Sequence, residues 1–207
     1  MTGVRRTCGA AYADALEACL AFEAQTGALP VHAYDSPWTI AGQGGVALEW
    51  EADAAPLDIV LVASGGGGLV AGMAAWWHGA PGAPRVVAVE PEGSRALHAA
   101  LEAGRPVDVP VASVAADSLG ARRAGDLVHA IAAQAVAEVV LVPDTAIVEA
   151  QRLLWRELRI AAEPGGAASL AALLCGACRP PKGARVGVLL CGGNVDPSGL
   201  TTAPVGT

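Results

Sequence analysis

Four consecutive glycines stand directly after an apolar run: Leu57-Asp-Ile-Val-Leu-Val62 passes through Ala63-Ser64 into Gly65-Gly66-Gly67-Gly68-Leu69. Residues 59–84 carry no Asp, Glu, Lys or Arg, and that length alone is enough to cross a membrane. Each glycine costs a helix about 1 kcal/mol, so one helix does not run through four of them. The run divides instead into a buried strand, a glycine turn and a helix of small residues. Met1-Thr-Gly-Val-Arg-Arg6 is not followed by an apolar core and a small-residue cleavage site, so no signal peptide is read. The expectation is a soluble, cytoplasmic protein with no membrane partner.

The rest of the chain repeats the strand-then-helix rhythm. Leu16, Cys19, Leu20 and Phe22 recur at helical spacing within residues 10–26, closed by Gly27. Asp35-Ser36-Pro37 supplies an N-cap and a first-turn proline for a helix through Trp50. Strands are expected at 57–62, 85–90, 138–142 and 185–191. Helices are expected from the glycine turn to about Trp77, at 94–103, at 125–136, at 145–160 behind an Asp144 cap, and at 167–178. Apolar strands alternating with helices specify an α/β fold, a parallel twisted sheet with helices on both faces.

Composition narrows the class. Of 207 residues, 53% are apolar and 16% charged, too few charges for disorder. The net charge of −7 leaves no basic face for nucleic acid. The five cysteines, Cys8, Cys19, Cys175, Cys178 and Cys191, read as free thiols of a reducing compartment. The lone Cys175-Gly-Ala-Cys178 reads as two thiols on one helix face. His32, His78, His98 and His129 show no ligand spacing. Among 13 basic residues there is a single lysine, Lys182.

In parallel sheets ligands bind beyond the carboxyl ends of the strands. Two strands here end in glycines, at Gly65–Gly68 and at Cys191-Gly192-Gly193. Successive glycines let backbone N–H groups converge on one anion, and the following helix adds its positive end. Phosphate is the expected occupant, since a plain tight turn explains one or two glycines better than four. Gly66-Gly-Gly68-Leu-Val-Ala71 also satisfies G-x-G-x-x-A, with Glu90 about 20 residues on, which keeps an NAD-type dinucleotide-binding domain open. A Walker A reading fails for want of Gly-Lys-Ser/Thr. Ser64 lacks the glycine two residues earlier that a nucleophile elbow needs.

With both turns in hand, the chain resembles the pyridoxal-phosphate-dependent serine/threonine dehydratases. These belong to the fold type II, tryptophan synthase β-like group that also holds serine racemase. The resemblance rests on Ala41-Gly42-Gln43-Gly44, Ser64 to Leu69, Val89-Glu90-Pro91-Glu92, Ala116-Asp117, Glu163-Pro164-Gly165-Gly166-Ala167 and Cys191-Gly-Gly-Asn-Val-Asp196. It implies pyridoxal 5'-phosphate as cofactor, its phosphate held at Gly65, Gly66, Gly67, Gly68 and the Leu69 amide, with Ser64 also among the cofactor-binding residues. It places Cys191 against the pyridine nitrogen, Gly192 and Glu163 among the cofactor-binding residues, and Glu163 and Asp117 as acids near the site. A neutral thiol does not hold the ring nitrogen protonated as an aspartate would. The ring is then a weak electron sink, suited to β-elimination more than to transamination. Glu90 matches a divalent-cation ligand of racemase-like members, but their second carboxylate is Ala96 here. No metal site is therefore expected.

The resemblance also shows what is missing. The family's Schiff-base lysine lies in a Ser-Phe-Lys-x-Arg-Gly-like segment, with a substrate-binding Ser-x-Gly-Asn-His loop after it; neither occurs here. Lys182 follows Pro180-Pro181 at the amino end of the last strand, away from the crevice. The chain thus resembles the C-terminal two thirds of such an enzyme, N-terminally truncated. Residues 1–28 are a remnant of the small domain, 29–200 the large cofactor domain, and 201–207 a flexible tail. The parent reaction is L-serine or L-threonine to the 2-oxo acid and ammonia; serine, threonine and racemase activities are not distinguished. This chain alone is expected to be inactive. The expected partners are a small-molecule amino acid, a second copy in a homodimer, and a separate N-terminal segment. A non-catalytic module binding pyridoxal phosphate or another phosphate is the alternative.

Overall fold

The computed structural model describes residues 12–54 and 56–200. Cys8, the start of the expected small-domain remnant and the expected 201–207 tail lie outside the described residues. In chain order the elements are α1 (Tyr12–Thr26), α2 (Pro37–Asp53), β1 (Ile59–Ala63), α3 (Gly68–Trp77), β2 (Arg85–Pro91) and α4 (Ala96–Ala103). Then follow α5 (Ala116–Leu119), α6 (Asp126–Ala135), β3 (Glu138–Val142), α7 (Asp144–Leu153), α8 (Pro164–Leu174) and β4 (Val186–Val188).

The strands form one parallel sheet in the order β3-β2-β1-β4, with Val60 facing Val86 on one side and Gly187 on the other. All five residues of β1 are buried, because it is central and both of its faces are covered. The period-two alternation of a strand sends Ile59, Leu61 and Ala63 into one core with residues of α7 and α8. Val60 and Val62 enter a second core with residues of α2, α3, α4 and α6. The expected fold class stands.

Several local expectations are corrected. Ser36 is the cap of α2, accepting the Thr39 amide at 3.1 Å, with Pro37 as its first residue. Asp35 serves another helix, α6, described below. Asp144 does not cap its own helix; its carboxylate takes the Ser113 hydroxyl at 2.6 Å and the Val114 amide at 3.0 Å. Beyond Leu153 the helix widens into a π turn, Leu154–Leu158, and ends at Arg159 with φ 58°. Gly165-Gly166 do not precede the next helix but lie inside it, because Pro164 opens α8. That helix ends at Leu174, so Cys175 and Cys178 sit beyond it, the first exposed and the second buried. The two thiols share no helix face.

Candidate functional site

The sheet order decides where a ligand can sit. From β1 the chain winds toward β2 and β3, while β4 lies on the other side, so the carboxyl ends of β1 and β4 flank a topological switch point. A cavity of about 750 Å³ opens there, lined among others by the Gly65–Gly68 turn, Tyr34, Leu119, Glu163 and Cys191.

Protein packing alone demands all four glycines, contrary to the expectation that a tight turn would explain only one or two. A Cβ on Gly65 would lie 2.9 Å from Leu119 Cα, and one on Gly68 2.7 Å from the Tyr34 carbonyl oxygen. A side chain on Gly66 would enter the Tyr34 ring, and Gly67 has φ 89° with Val128 against it. What points to an anion is the amides. No described group accepts from the N–H groups of Gly65, Gly66 or Gly67. The first-turn amides Gly68, Leu69 and Val70 of α3 have no partner within a helix. Ser64 is 1% exposed and its hydroxyl has no hydrogen-bond partner among the described residues.

The opposite wall comes from β4 and α8. The Glu163 amide donates to the Gly192 carbonyl at 3.0 Å, and the Glu163 carboxylate lies against the Gly192 α-carbon. Cys191 lines the cavity beside it. Burial, then the Glu163 charge, push its thiol above the ordinary range, so the thiol is neutral at pH 7. Ser64, the glycine turn, Leu69, Glu163, Cys191 and Asp117 all line the cavity. Gly192 does not: it acts from behind, its carbonyl holding the Glu163 amide.

Glu90 is fully buried away from this cavity. Its oxygens accept the Leu97 and His98 amides at 2.9 and 2.8 Å, capping the N-terminus of α4. Burial raises its pKa to about 8 against the pull of those two amides and Arg95. It is therefore not placed to hold a ribose, and among the described residues no group of three His, Cys, Asp or Glu could hold a metal. Lys182 is exposed in the turn that precedes β4, outside the lining.

Two contributors escaped the sequence reading. The Tyr34 ring covers Gly66 and its hydroxyl donates to the Arg123 carbonyl at 3.2 Å. The Asp35 carboxylate accepts the amides of Asp126, Leu127 and Val128 at 3.0, 3.1 and 3.2 Å. These partners lie about 90 residues downstream, so no local spacing signals them. An aspartate directly before a capping serine was the one available hint.

A family model described as pyridoxal-phosphate dependent enzyme matches residues 3–192. The biosynthetic L-threonine dehydratase of Escherichia coli strain K12 is 38% identical over 165 residues, covering 80% of this chain and 32% of that protein. The L-threonine ammonia-lyase of Thermotoga maritima is 32% identical over 188 residues, 91% of this chain and 46% of that one. The solved structure of maize serine racemase superposes with a TM-score of 0.84 at 33% identity, over 91% of this chain and 59% of the other. The chain thus spans from about a third to under two thirds of the length of these relatives.

The cavity suits the family's cofactor on its own geometry. The unpaired amides of the glycine turn and the start of α3 fit a phosphate, and the neutral Cys191 thiol fits a neutral ring nitrogen. No lysine lines the cavity among the described residues, so they offer this aldehyde no side-chain amine.

Proposed function

The chain belongs to the pyridoxal-phosphate-dependent enzymes, and we propose that it is the cofactor-binding part of a serine/threonine dehydratase-like ammonia-lyase. In this reading residues 29–200 form the cofactor domain and 1–28 belong to the neighbouring small domain. One observation carries it: the unpaired amides of the glycine turn and the Cys191 thiol face one cavity from adjacent strands. Gly65 to Gly68 and Leu69 would hold the phosphate, with Ser64 behind them. Cys191 would face the ring nitrogen, and the Gly192 carbonyl, which holds the Glu163 amide, would keep Glu163 beside it.

When bound, the cofactor draws electrons from the substrate α-carbon. A thiol that stays neutral leaves that pull modest, which favours loss of a β-hydroxyl over transamination. Burial first, and the Glu163 charge second, keep the thiol in that form. The α-proton needs a base, and the cavity offers no lysine amine. In this reading these 207 residues, whose one lysine lies outside the cavity, hold the cofactor without a covalent bond to a lysine, and residues beyond them supply the lysine for turnover.

Complementation tests this. The chain with pyridoxal phosphate and L-serine or L-threonine is expected to form no 2-oxo acid. Adding the portion of the Thermotoga maritima enzyme outside the matched region is expected to start 2-oxo acid formation. Turnover by the chain alone, or racemisation without 2-oxo acid once the segment is added, contradicts the proposal.

A further inference from the structure

The cavity carries one cation among its described lining residues, Arg122, against the acids Asp117 and Glu163. Arg122 sits in the bend between α5 and α6, where its carbonyl accepts the Val109 amide at 2.8 Å. Its backbone is thus tied down. Its side chain is exposed and makes no hydrogen bond or ion pair with a described residue. The neighbouring Arg123, by contrast, pairs with Asp108 at 3.6 Å and Asp126 at 4.0 Å.

The bend borders the anion-binding turn. The Leu119 backbone packs on Gly65, and Tyr34, whose ring covers Gly66, reaches the Arg123 carbonyl. A chain of net charge −7 with two acids on the cavity wall repels an incoming anion unless a cation offsets them. A guanidinium presents a planar fork that matches carboxylate and phosphate oxygens alike.

We propose that Arg122 is the anion anchor of this cavity, pairing through its guanidinium with an oxyanion of the bound ligand. That oxyanion is the cofactor phosphate or the carboxylate of the amino acid. The inference rests on the cavity being the cofactor site.

Binding of small probes to the whole chain tests it, followed by quenching of tryptophan fluorescence. The probes are pyridoxal 5'-phosphate, pyridoxal, pyridoxamine 5'-phosphate and N-(5'-phosphopyridoxyl)-L-serine. The chains are the unaltered protein, R122A, R122K, and R105A as a charge-matched control at an exposed residue just beyond α4. If the phosphate is the partner, R122A weakens pyridoxal phosphate about tenfold or more and leaves pyridoxal unchanged. If the carboxylate is the partner, R122A instead removes the preference for phosphopyridoxyl-serine over pyridoxamine phosphate. In either case R122K, compared only on the two phosphorylated probes without an aldehyde, retains part of the affinity and R105A all of it. Unaltered binding of every probe by R122A overturns the role of Arg122 alone. Failure of the unaltered chain to bind pyridoxal phosphate overturns the cofactor site and this inference with it.

Discussion

The α-carbon of Gly166 packs against the carbonyl oxygen of Cys191 so closely that no side chain fits between them. This contact locks the first turn of α8 to the turn after β4. It fixes the Cys191 thiol and the Glu163 carboxylate as neighbours. Replacing the glycine forces one of them to move. Gly166→Ala is expected to lower stability by about 1–3 kcal/mol, the usual cost of overpacking, and to weaken pyridoxal phosphate binding. Urea denaturation and a cofactor titration check both. An unchanged urea midpoint would show that the two turns are not locked.

Glu90 makes stability depend on pH. Its pKa is raised in the folded chain to about 8 by burial, while in the unfolded chain it ionises near pH 4.5. The folded state therefore binds the extra proton across that window. The stabilisation is complete below pH 4.5, falls as pH rises to about 8, and is a few kcal/mol in all. Glu90→Gln keeps a side-chain oxygen for one of the two amides and removes the titration. The difference in denaturant midpoint between the two chains is expected to move steadily in favour of E90Q from pH 5 to pH 8. Parallel curves would mean that Glu90 is ionised throughout.

Asp35 ties the segment bearing Tyr34 to α6 through three amides. Asp35→Ala leaves those amides without their acceptor and is expected to cost about 1–3 kcal/mol. It also loosens the ring over Gly66, so cofactor affinity falls. Asp35→Asn, which keeps one acceptor oxygen, recovers part of both. If D35A kept full cofactor affinity, Tyr34 would be positioned by something else.

The Cys191 thiol is pushed up by burial and by Glu163, and only a thiolate alkylates readily. Cys191 and Cys19 are both exposed, yet at pH 7.5 iodoacetamide is expected to modify Cys191 more slowly. Glu163→Gln is expected to speed it, and bound pyridoxal phosphate to block it. Peptide mapping reads the rates. Equal rates at both cysteines would show that burial and Glu163 do not raise the Cys191 thiol.

Much of the fold was legible because strands and helices announce themselves locally. The all-apolar β1, the Ser36-Pro37 start of α2 and the Glu138–Val142 strand were readable from short-range pattern. The glycine turn and Cys191 were readable as strand ends. Contacts between residues far apart in sequence were not. Asp35 looked like part of a local cap, and Gly165-Gly166 looked like a break, although Pro164 and the fit against Cys191 make them the start of a helix. The need for all four glycines is illegible in the local sequence for the same reason. Tyr34, Leu119 and Val128 fill the space beside them, and only the fold brings those three to the turn.

A single lysine in the chain, placed outside the cavity, makes the central claim directly testable. The chain is titrated with pyridoxal 5'-phosphate, treated with borohydride, denatured and dialysed. Saturable binding is expected, with the cofactor released afterwards and Lys182 unmodified by mass spectrometry. Phosphopyridoxyl-Lys182, or no saturable binding at all, would contradict a site that holds this cofactor by its phosphate and ring alone.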